Sequence, residues 1–205
     1  MEETWLEEFQ TMAVTRGPCR TAIDIGANIG DWSVWMAEHF ERVLAIEPDP
    51  RAYKFLGERG LPENVVASQM AVSGRSGTET IHLRESPLQT SLLEKHPVGI
   101  AGQPDPPIVQ SVEVAAFKLD ELLEMADDID FIKMDIEGAE AQVLREAKDK
   151  RWLDTRWLIE IHDTRKEVGM FLERLGFENM RIMKHPHPDA HPAHFWIYID
   201  KDLTI

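Results

Sequence analysis

Short apolar runs alternate along the chain with segments in which apolar residues recur at helical spacing. Such runs predict buried strands, and the helical segments predict helices that cover the sheet they form. The predicted strands are residues 21–26, 42–47, 64–72, 131–136 and 157–161. The predicted helices are residues 3–13, 30–39 and 165–175, with others starting near Pro50 and Asp120 and around Ala139. This order predicts an α/β fold with a mostly parallel sheet and helices on both faces.

The pattern changes at the C-terminal end of the chain. Gly176 is a natural stop for the helix before it, and residues 179–183 and 194–200 are two strand-like runs with no helix between them. We therefore predict an antiparallel hairpin that closes the sheet. A dehydrogenase-type sheet would need another crossover helix at this point.

A long proline-rich segment interrupts the middle of the chain. Residues 78–83 and 109–114 alternate like partly exposed strands, and residues 84–108 separate them. The prolines are Pro87, Pro97, Pro104, Pro106 and Pro107. Loops of this length are usually functional or disordered. We predict a flexible flap over the site, with a disordered surface loop as the alternative. Otherwise residues 1–205 read as a single domain, in which residues 1–20 hold an N-terminal helix.

The loop after the first predicted strand carries the strongest chemical signal. It reads Asp24-Ile-Gly26-Ala-Asn28-Ile-Gly30 and leads into a helix, and the second strand ends in Glu47. Glycines allow positive φ and a close ligand approach. An acid at this strand end is suited to accept from both hydroxyls of a ribose. The pattern predicts a nucleoside site, in which Asp24 organises the loop.

The glycine spacing distinguishes between nucleoside ligands. The dinucleotide motif is G-x-G-x-x-G with its pyrophosphate on a helix N-terminus. This chain has no glycine at 28 or 31, and Asp31 in the first helical turn would repel a pyrophosphate. These features favour a ligand with a cationic amino acid end, such as S-adenosylmethionine, over a nicotinamide dinucleotide.

Composition limits the partners and the compartment. The chain has 205 residues, 43% hydrophobic, with 22 basic and 37 acidic residues and a formal charge of −15. So acidic a surface disfavours nucleic acid. Cys19 is the only cysteine, and a reducing compartment is the simpler interpretation. The first residues lack a signal-peptide pattern, and no apolar run approaches the roughly 20 residues of a membrane span. We expect a cytoplasmic protein without a membrane partner.

Acidic residues and a histidine follow the next two strands. Asp135 lies at the end of the fourth predicted strand with Lys133 beside it, Glu137 and Glu140 follow that strand, and Glu160 and His162 end the fifth. If the strand persists, alternation would send Asp135 and Glu137 to opposite sides, while Glu160 and His162 share one side. Asp135, Glu160 and His162 are the catalytic candidates, because they could relay a proton or bind a divalent metal such as Mg²⁺. A structural hydrogen-bonded cluster is the alternative.

A histidine-rich tract separates the last two strands. It contains His185, His187, His191 and His194 with intervening prolines. Such tracts can bind zinc adventitiously, but the prolines make an extended loop. We expect an exposed turn bordering the acceptor pocket rather than a catalytic zinc site.

Several motifs together resemble the FkbM family of S-adenosylmethionine-dependent methyltransferases. They are Asp24-Ile-Gly-Ala-Asn-Ile-Gly30, Glu47-Pro48, Ala71-Val-Ser73, Leu119-Asp-Glu-Leu122, Lys133-Met-Asp-Ile-Glu-Gly-Ala-Glu140 and Glu160-Ile-His162. The resemblance implies a class I methyltransferase fold, with a seven-stranded sheet whose last strand is antiparallel. It also implies O-methylation of a sugar or natural-product hydroxyl. By the same analogy Met70 and Ala71 lie beside the adenine, and Asp135 joins the cofactor residues.

Three interpretations follow. The preferred one is an O-methyltransferase for a small hydroxylated molecule; the others are an N-methyltransferase of the same fold and a catalytically silent binding module. A nicotinamide-dependent oxidoreductase ranks last. In the preferred interpretation Asp135 or His162 is the base, and Glu160 orients His162 or completes a metal site. The sequence allows a homodimer but does not determine the oligomeric state.

Overall fold

The computed structural model describes residues 3–85, 89–95, 106–185 and 192–202. In these ranges the strands are β1 (Thr21–Ile25), β2 (Arg42–Ile46), β3 (Val65–Ser68), β4 (Ala71–Ser73), β5 (Gly77–Arg84), β6 (Ile108–Lys118), β7 (Ile129–Met134), β8 (Arg156–His162), β9 (Met180–Lys184) and β10 (His194–Ile199). The α-helices are α1 (Glu3–Thr15), α2 (Asp31–Ala37), α3 (Pro50–Glu58), α4 (Leu122–Met125), α5 (Glu140–Glu146) and α6 (Arg165–Leu175). Short 3-10 turns cover Leu119–Glu121 and Lys150–Asp154.

Seven strands form one sheet in the order β3-β2-β1-β7-β8-β10-β9. The first five are parallel to one another, and β10 is antiparallel to both of its neighbours. This arrangement confirms the class I methyltransferase-like fold and the C-terminal hairpin. Because β1, β2, β7 and β8 are parallel, their carboxyl ends meet at one edge of the sheet, which we term the carboxyl edge. Open α/β sheets bind ligands there.

Burial on both faces explains the apolar character of the central strands. Every residue of β1, β7 and β8 is buried. On one face α5 and α6 pack over Ile23, Ile132 and Ile159, and on the other Phe9 of α1 and Met36 of α2 pack near Phe131. Among the described residues, no helix combines the length and the apolar content that crossing a membrane requires.

Two strand predictions differ from the structure. The run at 64–72 forms two strands rather than one, because the chain turns at Met70, whose N–H bonds to the carbonyl of Ser68. After this turn β4 leaves the large sheet and joins β6 and β5 in a separate three-stranded sheet. The fourth predicted strand, 131–136, is β7, which ends at Met134; Glu137 then adopts a φ of 54° and Gly138 a φ of 93°.

Part of the proline-rich segment folds back on β5. Residues 86–88 and 96–105 of the predicted flap lie outside the described residues. Ser91 pairs with His82 in an isolated antiparallel bridge. The fully buried guanidinium of Arg84 donates to the carbonyls of Gln89, Leu93 and Glu94. Residues 89–95 are therefore held by a charged side chain that satisfies several backbone acceptors.

Candidate active site

The loop after β1 turns sharply through left-handed backbone. Gly26, Asn28 and Gly30 have φ values of 79°, 49° and 88°. A Cβ on Gly26 would lie 1.8 Å from the carbonyl oxygen of Asp135, and one on Gly30 would lie 2.3 Å from Leu56 Cδ1. Close packing within the protein, together with the positive φ, thus requires glycine at both positions. Close approach of a ligand is not needed to explain them.

The N–H groups of this loop are engaged within the protein. Gly26 and Ala27 donate to the carbonyl of Ile46 at 2.9 and 3.0 Å, and Gly30 donates to Ala27. The next N–H, that of Asn28, donates to Glu47 Oε2 at 2.7 Å. These groups do not form the concave set of N–H donors that binds phosphate. The loop geometry therefore agrees with the preference for a ligand other than a dinucleotide.

Glu47 joins the loop to the end of β2. Its other oxygen, Oε1, accepts from the Asp49 N–H at 2.7 Å, and the residue is only 5% exposed. Burial raises the pKa of Glu47 to about 7, although the two N–H bonds act in the opposite direction. Each carboxylate oxygen can accept more than one hydrogen bond. Glu47 is thus a buried acid that retains capacity to accept from ribose hydroxyls.

Lys133 links Asp24 and Asp135 beneath the loop. Its ammonium lies 3.4 Å from Asp24 Oδ1 and 3.5 Å from Asp135 Oδ2, and it donates to the carbonyl of Gly26 at 3.0 Å. Burial disfavours the charged amine, but the two carboxylates outweigh this and raise the pKa of Lys133. Asp24 also accepts from Ser33 Oγ at 2.6 Å. Asp24 therefore supports the loop through Lys133 and Ser33.

Asp135 presents a carboxylate oxygen with an open acceptor position. Its N–H continues the ladder to β1 by donating to Ile25 at 3.0 Å. Its Oδ1 atom is buried and has no hydrogen-bond partner among the described residues, and the same holds for Asn28 Oδ1. Burial and the nearby charge of Glu160 raise the pKa of Asp135 well above its usual range, against the effect of Lys133.

His162 is held between two carboxylates. Its Nδ1 lies 3.1 Å from Glu140 Oε1 and its Nε2 lies 3.5 Å from Glu137 Oε2. Burial lowers the pKa of His162, but Glu140 and Glu137 outweigh it and raise that pKa well above its usual range. The two carboxylates therefore favour the protonated form of His162. A cation whose two nitrogens face carboxylates cannot accept a proton, which disfavours its predicted role as base.

The acids around His162 do not follow strand alternation. The strand that would separate Asp135 from Glu137 does not persist, because β7 ends at Met134 and the left-handed turn at Glu137 brings its carboxylate back to His162. Glu140, which is fully buried, orients His162 in the place predicted for Glu160. Its Oε1 also accepts from the Gly138 N–H at 3.1 Å. The sequence signal that could have identified Glu140 is its position in the first turn of a helix, where an acid can accept hydrogen bonds from the N–H groups of the preceding loop.

Glu160 pairs instead with two histidines of the predicted tract. Its Oε1 lies 2.5 Å from His194 Nε2 and 3.4 Å from His185 Nε2. Burial raises the pKa of Glu160, but the hydrogen bonds from the two histidines dominate and lower it. The prediction of an exposed turn is wrong for these two residues, since neither is exposed. His187 and His191 lie outside the described residues.

The remaining predicted cofactor residues lie beside the smaller sheet. Ala71 is 2% exposed in β4 and packs with Ile81 and Leu83 of β5. Met70 precedes β4, is half-buried and packs against the main core. Their contact with adenine stays a prediction.

Residues 89–95 bond to both sides of the candidate site. Thr90 Oγ1 donates to Asp49 Oδ2 at 2.7 Å, next to the end of β2. Ser91 Oγ donates to the Glu137 carbonyl at 2.7 Å, in the turn after β7. This part of the predicted flap therefore connects the Glu47 side of the carboxyl edge with the Asp135 side.

Comparisons with known proteins agree with this geometry. The family model described as "Methyltransferase FkbM domain" matches residues 24–181. Methyltransferase sdnD of Sordaria araneosa is 26% identical, with 82% of this chain and 77% of that protein covered.

Solved structures share the fold. The methyltransferase FkbM of Methylobacillus flagellatus aligns with a TM-score of 0.57 at 18% identity, over 88% of this chain and 43% of that chain. The present chain thus spans less than half of that protein. Precorrin-6y C5,15-methyltransferase of Geobacter metallireducens aligns with a TM-score of 0.52 at 14% identity, over 97% of this chain and 89% of that one. With the family match over most of its length, the chain belongs to the FkbM family of S-adenosylmethionine-dependent methyltransferases.

Proposed function

We propose that this methyltransferase methylates a hydroxyl group of a small molecule, such as a sugar or a natural product, and that Asp135 is the base. The observation that carries the proposal is the buried Asp135 Oδ1 atom, which has no hydrogen-bond partner among the described residues. This atom lies at the carboxyl edge of a central strand, where ligands of such sheets bind. A buried acceptor of this kind is costly unless a ligand or water satisfies it.

The chemistry of the donor set fits S-adenosylmethionine. Asn28 Oδ1 is a buried acceptor without a hydrogen-bond partner among the described residues, and a ligand ammonium group supplies the donor that such an acceptor needs. Glu47 accepts the ribose hydroxyls in this account, and Met70 and Ala71 border the adenine. The N–H groups of Gly26, Ala27, Asn28 and Gly30 are already engaged within the protein, so these four are not available to a pyrophosphate.

Three side chains would have distinct roles near the transferred methyl group. When bound, S-adenosylmethionine supplies an electrophilic methyl group, and its transfer to a hydroxyl oxygen releases the hydroxyl proton. Asp135 accepts that proton at Oδ1. Lys133, 3.5 Å from Asp135 Oδ2, holds the carboxylate in place. His162 stays cationic between Glu140 and Glu137 and fixes the turn after β7.

O-methylation fits this arrangement better than N-methylation does. A neutral alcohol is a poor nucleophile and gains most from a positioned base, whereas a neutral amine already carries an available lone pair. The formal charge of −15 disfavours a nucleic-acid acceptor. A small hydroxylated molecule therefore remains the best match to a site built from buried acids.

The test uses S-adenosylmethionine labelled in the methyl group with a panel of small alcohols, sugars and amines. We expect label in a hydroxylated acceptor, and we expect Asp135→Asn to lower the transfer rate by about 10²–10⁴-fold, the range for a lost general base. Asp154→Asn, which changes an exposed aspartate away from the carboxyl edge, is the matched control.

Calorimetry with S-adenosylhomocysteine accompanies each variant. Affinity of Asp135→Asn close to that of the unmodified chain would show that the fold and cofactor site are intact. Label found only in amines would favour N-methylation, and an unchanged rate in Asp135→Asn would exclude Asp135 as the base.

A further inference from the structure

A row of three histidines crosses the C-terminal side of the sheet. His194 of β10 is the cross-strand partner of His162 in β8. Phe195 pairs with Lys184, so His185, the next residue, continues the same register beside His194. The ring centroids of His185 and His194 lie 4.1 Å apart, and those of His194 and His162 lie 4.5 Å apart. The register of the β9–β10 hairpin thus brings His185 next to His194, although the loop between the two strands separates them in sequence.

Glu160 adds a buried carboxylate to this row. It precedes His162 by two positions on β8, so the two side chains share one face. Nε2 of His185 and Nε2 of His194 both approach the same oxygen, Glu160 Oε1. The three ligand atoms all lie within 4.8 Å of one another. Two imidazoles and one carboxylate are the protein ligands of one common type of catalytic zinc site.

We propose that Glu160, His185 and His194 bind a divalent transition metal of the zinc class. Ligand atoms in a tetrahedral zinc site are about 3.3 Å apart, given Zn–N and Zn–O distances of about 2.0–2.1 Å. The separation of 3.4 Å between His185 Nε2 and Glu160 Oε1 already matches this value. His194 Nε2, at 2.5 Å from the same oxygen, needs to move outward by less than about 1 Å.

Imidazole donors determine the class of metal. Mg²⁺ and Ca²⁺ select oxygen ligands, whereas Zn²⁺ and its neighbours accept imidazole.

The overlapping set of Asp135, Glu160 and His162 is a weaker candidate. Its atoms also lie within 4.8 Å of one another. However, both ring nitrogens of His162 face carboxylates, Nδ1 that of Glu140 and Nε2 that of Glu137. A metal there would have to break one of these pairs. The set of Glu160, His185 and His194 is therefore the preferred metal site. Its ligands connect the β9–β10 hairpin to β8, and the proposal does not depend on which molecule accepts the methyl group.

The test is zinc binding by the full chain after chelation and dialysis, without cofactor or acceptor. Calorimetry should show one Zn²⁺ per chain, and Mg²⁺ in excess should not displace it. Glu160→Gln, His185→Ala and His194→Ala should each weaken binding by at least about tenfold. His39→Ala, which removes an exposed histidine of the segment after α2, is the control and should bind as the unmodified chain does.

Cobalt provides a second readout, since Co²⁺ bound by this set gives visible absorption that Glu160→Gln should abolish. Melting curves of the metal-free variants show whether each one is folded. His185→Ala is expected to disturb the core least, because His185 directly follows the edge strand β9. Glu160 lies outside the histidine-rich tract, so Glu160→Gln distinguishes the proposed site from ions bound by the tract alone. Zinc binding unchanged in Glu160→Gln, or several weakly bound ions per chain, would mean an adventitious ion on the tract only and would overturn the proposal.

Discussion

Lys133 donates a hydrogen bond of 3.0 Å to the carbonyl oxygen of Gly26, and so a charged side chain of β7 supports the turn after β1. The same ammonium forms ion pairs with Asp24 and Asp135 on either side. Because the ammonium is almost fully buried, its loss would leave two carboxylates unpaired in a region of low dielectric. This small network couples the shape of the cofactor loop to the position of the proposed base.

We predict that Lys133→Met lowers the free energy of unfolding by about 3–5 kcal/mol, the cost of breaking a buried ion pair. Urea unfolding measures the change. Lys54→Met is the control, because Lys54 and Glu58 form an exposed pair of 3.7 Å that contributes at most about 1 kcal/mol. Equal losses in the two variants would mean that Lys133 does not hold the network together.

Two glycines with nearly the same backbone allow a matched test of packing. Gly26 and Gly60 have φ values of 79° and 76°, but only Gly26 has backbone within reach of an added Cβ. Gly60→Ala should cost about 1 kcal/mol, from the positive φ alone. Gly26→Ala should cost at least about 2 kcal/mol more, because Asp135 must move. Similar melting curves for both variants would contradict the close packing of Gly26 against Asp135.

The sequence predicted the large sheet well because each of its central strands is an apolar run buried on both faces. It failed at residues 64–72, where the chain crosses between two sheets at Met70 and only the polar pair Ser68-Gln69 interrupts the apolar residues. The partners of His162 and Glu160 depend on tertiary contacts. Only the hairpin register, which sets His185 beside His194, was accessible in principle from the positions of those residues.

The raised pKa of Glu47, about 7, gives cofactor binding a pH dependence. Ribose hydroxyls bond more strongly to an ionised carboxylate than to a neutral one. S-Adenosylhomocysteine should therefore bind more tightly at pH 8 than at pH 6, with proton release near pH 7. Glu47→Gln should remove this difference, as measured by calorimetry in buffers of different ionisation enthalpy.

The raised pKa of Glu47 affects the stability of the ligand-free chain in the opposite direction: stability falls as the pH rises, whereas cofactor affinity increases. The folded state binds more protons than the unfolded state between about pH 4.5 and 7. The contribution of Glu47 to stability is thus complete below about pH 4.5 and is lost as the pH rises to 7, by roughly 3 kcal/mol.

For the affinity prediction, the contradicting result is an affinity for S-adenosylhomocysteine that falls between pH 6 and 8 in the unmodified chain but not in Glu47→Gln. That result would contradict the assignment of Glu47 to the ribose.

The segment between Leu83 and Val109 should act as a gate over the acceptor side of the site. Its length and proline content motivate this, and residues 89–95 bond to both sides of the carboxyl edge. We expect limited proteolysis to cut this segment first, and more slowly with S-adenosylhomocysteine and acceptor present. Ser91→Ala, which removes the bond to Glu137, should reduce that protection. Cleavage that ligands do not change would leave the segment a surface loop.

Calorimetric titration of the full chain with S-adenosylhomocysteine and, separately, with NAD tests the proposed cofactor site most directly. We predict that S-adenosylhomocysteine binds, that NAD does not, and that Glu47→Ala weakens binding by about 1–3 kcal/mol, the scale of a hydrogen bond to a charged group. The exposed Glu58→Ala leaves affinity unchanged in this account. Tight binding of NAD without any response to S-adenosylhomocysteine would contradict the assignment of the loop and Glu47 to the methyl donor.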